Sequence, residues 1–336
     1  MIPEIKENAV KNALQSTFGV SEFEDIRKLT AGLSSALVFR IVVQGKPYLL
    51  RIITRTDAMG DPTHQYDCMK MAAEAGLAPR IWYTSIEDRI SITDFVETRP
   101  LPIEEAKTML ADLLHRLHSL PPFPKGMMGR HYLDTVDSFI QKFQDAKILP
   151  VSMTDELFQL YAQVASVYPR DDRGLVSCHN DLKPENILFD GVRPWLVDWE
   201  AAFLNDRYAD LAVVANFVVM NEKDEVDYLR RYFGEEANEY RHARFFLMRQ
   251  VLHVFYFTVF MLFGSGGKPI DVNVKKPDFR DFHNRIWAGE ISLADNEAKL
   301  QYAWVHMEQL LRNMRTKRFE DALRVVCNYH AGELQE

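Results

Sequence analysis

The sequence has few cysteines, no long apolar run and no dense basic block, and each lack removes a class of protein. Cys68, Cys178 and Cys327 stand far apart with no Cys-x-x-Cys pair, so neither a disulfide framework nor a zinc-ligand spacing is present, and a reducing cytoplasm is the expected location. The longest apolar run, Val251 to Phe263, contains His253 and falls short of the roughly 20 residues that cross a bilayer, which predicts a buried core helix and no membrane association. Residues 1–15 carry charges every few positions and lack the apolar segment of a signal peptide. A formal net charge of -8 without a Lys/Arg cluster would repel nucleic acid, which is therefore not an expected partner. What remains, at 336 residues with 47% apolar and 26% charged, is a globular chain with a large core, either two domains or one two-lobed enzyme.

Hydrophobic periodicity divides the chain in two. Val10 to Phe18 reads as a short amphipathic helix, and Leu37 to Val43 with Tyr48 to Ile53 as a hairpin turning at Gln44-Gly45-Lys46-Pro47. Asp61-Pro62 starts a helix that Gly76 and Pro79 end, and Arg80 to Thr84 and Ile90 to Phe95 are further strands. From Ile103 onward the period is mainly helical, through Val136 to Phe143, Asp155 to Val167, Tyr208 to Val219, Tyr240 to Phe263 and Asn296 to Arg315. The exceptions are the short strands Ile187 to Phe189 and Trp195 to Val197. The expectation is an α+β protein with a small sheet lobe over residues 1–97 and a mainly helical lobe over residues 98–336.

One constellation carries chemistry. His179-Asn180-Asp181-Leu182-Lys183-Pro184-Glu185-Asn186 has the spacing His-x-Asp-x-x-x-x-Asn and opens into a strand; after a turn at Asp190-Gly191 a second strand ends on Asp198, 12 residues beyond Asn186. Phosphoryl transfer needs a carboxylate to orient the attacking hydroxyl and accept its proton, and oxygen ligands to hold magnesium on the nucleotide phosphates. Asp181 fits the first role, Asn186 and Asp198 the second. Asp and Asn also gather at ordinary turns, and only the ordered set in its strand context speaks against that reading. His179 fits a buried brace for the loop.

These residues resemble the choline/ethanolamine kinase and aminoglycoside phosphotransferase superfamily, a branch of the protein-kinase-like fold. The likeness is carried by Cys178-His179-Asn180-Asp181, by Asp198-Trp199-Glu200, by Asn205-Asp206 and by Asp210-Leu211-Ala212, and spans about residues 25 to 220. It implies an ATP- and Mg²⁺-dependent kinase with Arg51 on the third strand gripping the phosphates, where many relatives have lysine and a guanidinium can chelate in two-pronged fashion. The resemblance gives Phe95-Val96-Glu97 as the interlobe hinge, with Asp94 and Val96 beside the nucleotide. Asp67 stands where relatives carry the acid that pairs with that cation, and Glu74 lies on much the same helical face. Ser34 and Ser35, in a turn with the single glycine Gly32, are candidates for covering the phosphates, with a plain β-turn as the other reading. Lys183 either touches the transferred phosphate or faces solvent.

The acceptor is less constrained. Asp-Leu-Lys-Pro-Glu-Asn is wording shared with Ser/Thr protein kinases, but Trp199-Glu200 replaces Phe-Gly and no Ala-Pro-Glu segment follows, which favours a small molecule. A choline-like cation would need aromatic faces and a carboxylate, for which Trp199, Glu200, Tyr256, Phe257 and Trp287 are available, although aromatics at helical spacing are more often core. An aminoglycoside, thiamine, a methylthio sugar, or a pseudokinase used as a binding module are the alternatives.

Overall fold

In the computed structural model, which describes residues 2–29, 36–55, 57, 60–124, 131–171, 174–272, 274 and 276–333, side-chain alternation organises the first sheet. Helix α1 (Glu4–Phe18) precedes β1 (Asp25–Leu29), β2 (Ala36–Val43) and β3 (Lys46–Ile53); α2 (Thr63–Glu74), β4 (Ile81–Ser85) and β5 (Ile90–Asp94) follow, and the sheet order is β1-β2-β3-β5-β4, antiparallel throughout. The β2–β3 turn is two residues, Gln44 and Gly45, both at positive φ, so Lys46 and Pro47 already belong to the strand. That geometry matches the right-handed twist of the two strands. Alternate residues Phe39, Ile41, Val43, Tyr48, Leu50, Ile52, Ile90 and Ile92 face Val10, Ala13 and Leu14 of α1, which seals one side of the sheet. The period of two then turns Arg51, opposite Ser91, to the other side.

The rest is mainly helical: α3 (Ile103–His118), α4 (Tyr132–Ala146), α5 (Asp155–Val167), α6 (Arg207–Val218), α7 (Glu222–Phe233), α8 (Glu239–Ser265), α9 (Phe279–Trp287), α10 (Asn296–Met314) and α11 (Lys317–Glu333). Four short strands interrupt them, β6 (Leu175–Cys178), β7 (Ile187–Phe189), β8 (Pro194–Leu196) and β9 (Phe203–Asp206). Helix α8, capped by Asn238 accepting from Arg241 N, is apolar on nearly every side and runs through the middle of the core against α4, α6, α10 and α11. It is long and apolar enough to cross a membrane, yet 72% of its most apolar stretch is buried inside the protein, as expected for a core helix.

The two parts share core. Tyr66, Cys68, Met69 and Ala72 of α2 and the following Leu77 and Ala78 belong to the hydrophobic cluster of the helical part, not to that of the sheet. Leu196 N donates to the Leu77 carbonyl (2.8 Å) and Arg99 N to the Phe189 carbonyl (2.7 Å), so main-chain bonds stitch the β7–β8 hairpin to the segments on either side of β4 and β5.

Candidate active site

Strands β6 and β9 pair antiparallel from Leu175 opposite Asp206 to Cys178 opposite Phe203, so the chain from His179 to Ala202 leaves and returns at one place. Within that excursion β7 pairs with β8, and Val197 N donates to the Asn186 carbonyl at 3.1 Å. Asn186 and Asp198 thereby share one end of a short hairpin. The loop ahead of it hangs on Asp210, which is fully buried and accepts from His179 N and Asn180 N, each at 2.8 Å. Asn180 takes a left-handed φ of 64°, tolerable for asparagine, and its side chain bonds the Ala201 carbonyl (3.0 Å) and accepts from Asn205 (2.7 Å). The buried His179 ring meets the Val197 carbonyl through Nε2 at 2.9 Å and packs on Trp199, bracing the loop.

On this frame Asp181 Oδ2 accepts from Asn186 Nδ2 (2.8 Å) and Lys183 Nζ (2.9 Å). Its Oδ1 has no hydrogen-bond donor among the described residues. Burial works against the Lys183 ammonium, but the Asp181 carboxylate beside it, with Asp198 and Glu185 farther off, raises its pKa above the ordinary lysine value. The Asn186 amide also donates to the Asp181 carbonyl at 2.8 Å, which fixes its orientation and leaves Oδ1 open. Arg51 reaches in from β3, with Nη1 2.8 Å from Asp198 Oδ1 and Nη2 3.3 Å from Glu200 Oε2. Asp198 sits at a φ of 68°, a left-handed conformation that a non-glycine residue adopts at some cost, common at functional sites. Partial burial and the neighbouring Asp198 charge push the Glu200 carboxyl above its usual range.

The oxygens left open, Asn186 Oδ1 and Asp198 Oδ2, are the hard donors that magnesium takes, one or two from protein with phosphate and water completing the shell. The other grouping of metal-ligating types among the described residues, His118, Cys178 and Asp210, has its ligand atoms within 4.8 Å of one another. There both Asp210 oxygens are already engaged by loop amides, and burial holds the Cys178 thiol in its protonated form, so that grouping is structural.

The structure gathers Arg51, Asp181, Lys183, Asn186, Asp198 and Glu200 into one cleft and leaves other candidates elsewhere. Asp67 is exposed on α2; the carboxylates meeting Arg51 are those of Asp198 and Glu200, and the buried Tyr66 takes the α2 position whose hydroxyl feels the Arg51 charge. Glu74 is likewise exposed. Trp199 is only 2% exposed, wedged between His179 and Phe123, so it is core and not a wall for a substrate. Phe257 is buried against Phe143 and is core, while the part-exposed Trp287 donates to the Leu101 carbonyl at 2.9 Å. Asp94 lies opposite Tyr48, on the sheet face packed against α1, and accepts from Trp82 Nε1 at 2.7 Å, so its side chain turns away from the cleft. It shares with Val96 a groove of about 480 Å³ that reaches Trp195 on the β7–β8 hairpin. Ser34 and Ser35 lie outside the described residues.

Tyr256, part-exposed on α8, and Tyr302, buried on α10, have hydroxyls raised above the usual tyrosine range, first by burial and then by neighbouring groups: the Asp181 charge for Tyr256, and Tyr256, Glu185 and Asp181 for Tyr302. Tyr302 escaped sequence reasoning. The available signal was its position four residues before His306 on one helical face, which an isolated sequence does not distinguish from core.

The chain is 24% identical over 225 residues to the LicA protein of Haemophilus influenzae, covering 63% of this chain and 64% of that one; for LicA of strain Rd the identity is 23% and 81% of its length is covered. A choline/ethanolamine kinase family protein from Mesorhizobium loti superposes with a TM-score of 0.66 at 19% identity, over 96% of this chain and 99% of that one. The complex of APH(2'')-IIa with streptomycin and ATP does so with a TM-score of 0.56 at 15% identity, over 80% and 94%. Residues 25–246, more than half of the chain, match the model of the phosphotransferase enzyme family. With the kinase-like fold that it shares with these neighbours, the chain belongs to that phosphotransferase enzyme family.

Proposed function

We propose that the protein moves the γ-phosphate of ATP to the hydroxyl of a small cationic amino alcohol of the choline or ethanolamine kind, in the cytoplasm where ATP is supplied. The observation that carries this reading is the open oxygen of Asp181, whose other oxygen is held by Lys183 and Asn186, with the charge of this carboxylate felt by the hydroxyls of Tyr256 and Tyr302. The acceptor hydroxyl would donate to that oxygen, which orients the attack and takes the proton as the bond to phosphorus forms. Lys183 stays charged and offers its ammonium to the transferring group. Arg51 exchanges part of its pairing with Asp198 for phosphate oxygens, and Asn186 with Asp198 would hold magnesium, which when bound neutralises phosphate charge.

The amino-alcohol class is supported by the surroundings. Asp181, Glu185 and Glu200 make the acceptor side acidic, and a tyrosine face can attract an ammonium by up to about 2 kcal/mol once water is excluded. The likeness to LicA and to a choline/ethanolamine kinase family protein points the same way. The test is ADP release by purified protein offered choline, ethanolamine, an aminoglycoside or a polypeptide, with the Asp198→Ala variant alongside. Choline- or ethanolamine-dependent turnover is expected; turnover only with the aminoglycoside or the polypeptide would overturn the acceptor class.

A further inference from the structure

Packed with Tyr256 and Tyr302, whose hydroxyls feel the Asp181 charge, are three histidines for which the transfer has no use. His253 of α8, His283 of α9 and His306 of α10 are completely buried. Burial pushes all three imidazoles far below the usual histidine range, His283 to about 3, so each ring is neutral. His253 and His306 share a hydrogen bond from Nδ1 to Nδ1 at 2.7 Å, which neutral rings form only as one donor and one acceptor tautomer. His283 donates from Nδ1 to the Phe279 carbonyl at 2.8 Å. Among the described residues the Nε2 atoms of all three find no hydrogen-bond partner. An apolar side chain at each position would avoid that cost, so packing stability alone does not account for the imidazoles.

Their placement gives another reason. The His306 ring stands edge-on to Tyr302 with centroids 4.4 Å apart and lies 4.9 Å from Tyr256, while the two tyrosines are 5.5 Å from each other. His306 follows Tyr302 by four residues and His253 precedes Tyr256 by three, so each helix presents one tyrosine and one histidine on a common face. The single imidazole bond ties the two faces together.

We propose that His306, oriented by its hydrogen bond to His253, is a positioning residue of the acceptor subsite: it fixes how far the Tyr256 and Tyr302 rings stand from Asp181, and so which acceptors fit. The inference rests on the reading of this cleft as an acceptor site. A neutral wall suits a cationic acceptor, which a protonated imidazole would repel.

The experiment compares His306→Leu, His306→Phe and His306→Asn in the full chain by steady-state kinetics on ATP and on choline or ethanolamine, with melting temperatures alongside. His306→Leu is expected to raise the acceptor KM about tenfold while kcat and the ATP KM stay within about twofold, and His306→Phe, which keeps a ring, to recover most of that loss. An unchanged acceptor KM beside a lowered melting temperature, or parallel losses in kcat and both KM values, would make the histidine merely structural. If the leucine variant does not fold, the milder pair decides, with His306→Asn expected to raise the acceptor KM and His306→Phe not; the reverse order overturns the proposal. Should the wild type turn over no acceptor, the proposed function fails first. Positioning is then read by NMR of 13C-tyrosine-labelled protein, where His306→Leu, or His306→Asn if that variant does not fold, must move the Tyr256 and Tyr302 ring signals and leave Tyr48 in place; unmoved signals sink the idea.

Discussion

Asp181 has one oxygen held by Asn186 and Lys183 and one left open, an arrangement that aims the carboxylate without satisfying it. Asp181→Asn keeps the shape and removes the base, so kcat is expected to fall by about 10²–10⁴ while nucleotide affinity by calorimetry stays within a few-fold. Retained turnover would remove Asp181 from that role. Asp198→Ala acts on the other side of the cleft: nucleotide binding should lose its dependence on magnesium, and titrations in magnesium and in EDTA should give similar affinities. The loop from His179 to Asn186 and the step to Asp198 could be read from the sequence because a contiguous stretch fixes their geometry. The acid beside Arg51 could not. Glu200 lies 149 residues away and meets Arg51 only after β3 is laid across the loop, while the α2 position expected to supply a carboxylate is turned to solvent.

At the level of single elements, the apolar helices α3, α6, α8 and α10 were legible and the more charged α7, α9 and α11 were not. Helix α7 buries only Glu225, Tyr228, Leu229 and Tyr232 in a run dominated by charge, so its apolar stripe is narrow. Strands β6 and β9 are four residues each and exist because they pair with each other across the catalytic segment. Trp199 was misread for a related reason: an aromatic next to a functional aspartate can face a ligand or anchor the turn, and here it anchors. Trp199→Ala should cost about 3–5 kcal/mol in denaturant unfolding, far more than Trp199→Phe. The histidines of α8, α9 and α10 set a pH response. Their folded-state pKa values are depressed, so below about pH 6.5 the unfolded chain takes up protons that the folded chain refuses. Stability is therefore complete above that point and declines as pH falls toward about 3, where His283 titrates. Each ring contributes up to about 1.4 kcal/mol per pH unit. Urea midpoints across that range should fall more steeply toward acid in wild type than in His283→Leu, so that the two curves separate as pH drops; equal slopes would contradict the argument.

For the whole molecule, the cleft lies between a sheet backed by α1 and a helical body, and a nucleotide touching both should stabilise the pair together. At about 100 times its Kd, magnesium-ATP is expected to add about 2.7 kcal/mol to unfolding, read as a rise in melting temperature that EDTA abolishes. The allocation of α2 has a different consequence. In regulated protein kinases the helix after the third strand is repositioned to switch the enzyme on. Here that helix has its apolar side chains in the core of the larger body, and the chain just beyond it is bonded to the catalytic hairpin. Swinging it outward would tear open a core. A switch that works by moving this helix would therefore carry the cost of opening that core.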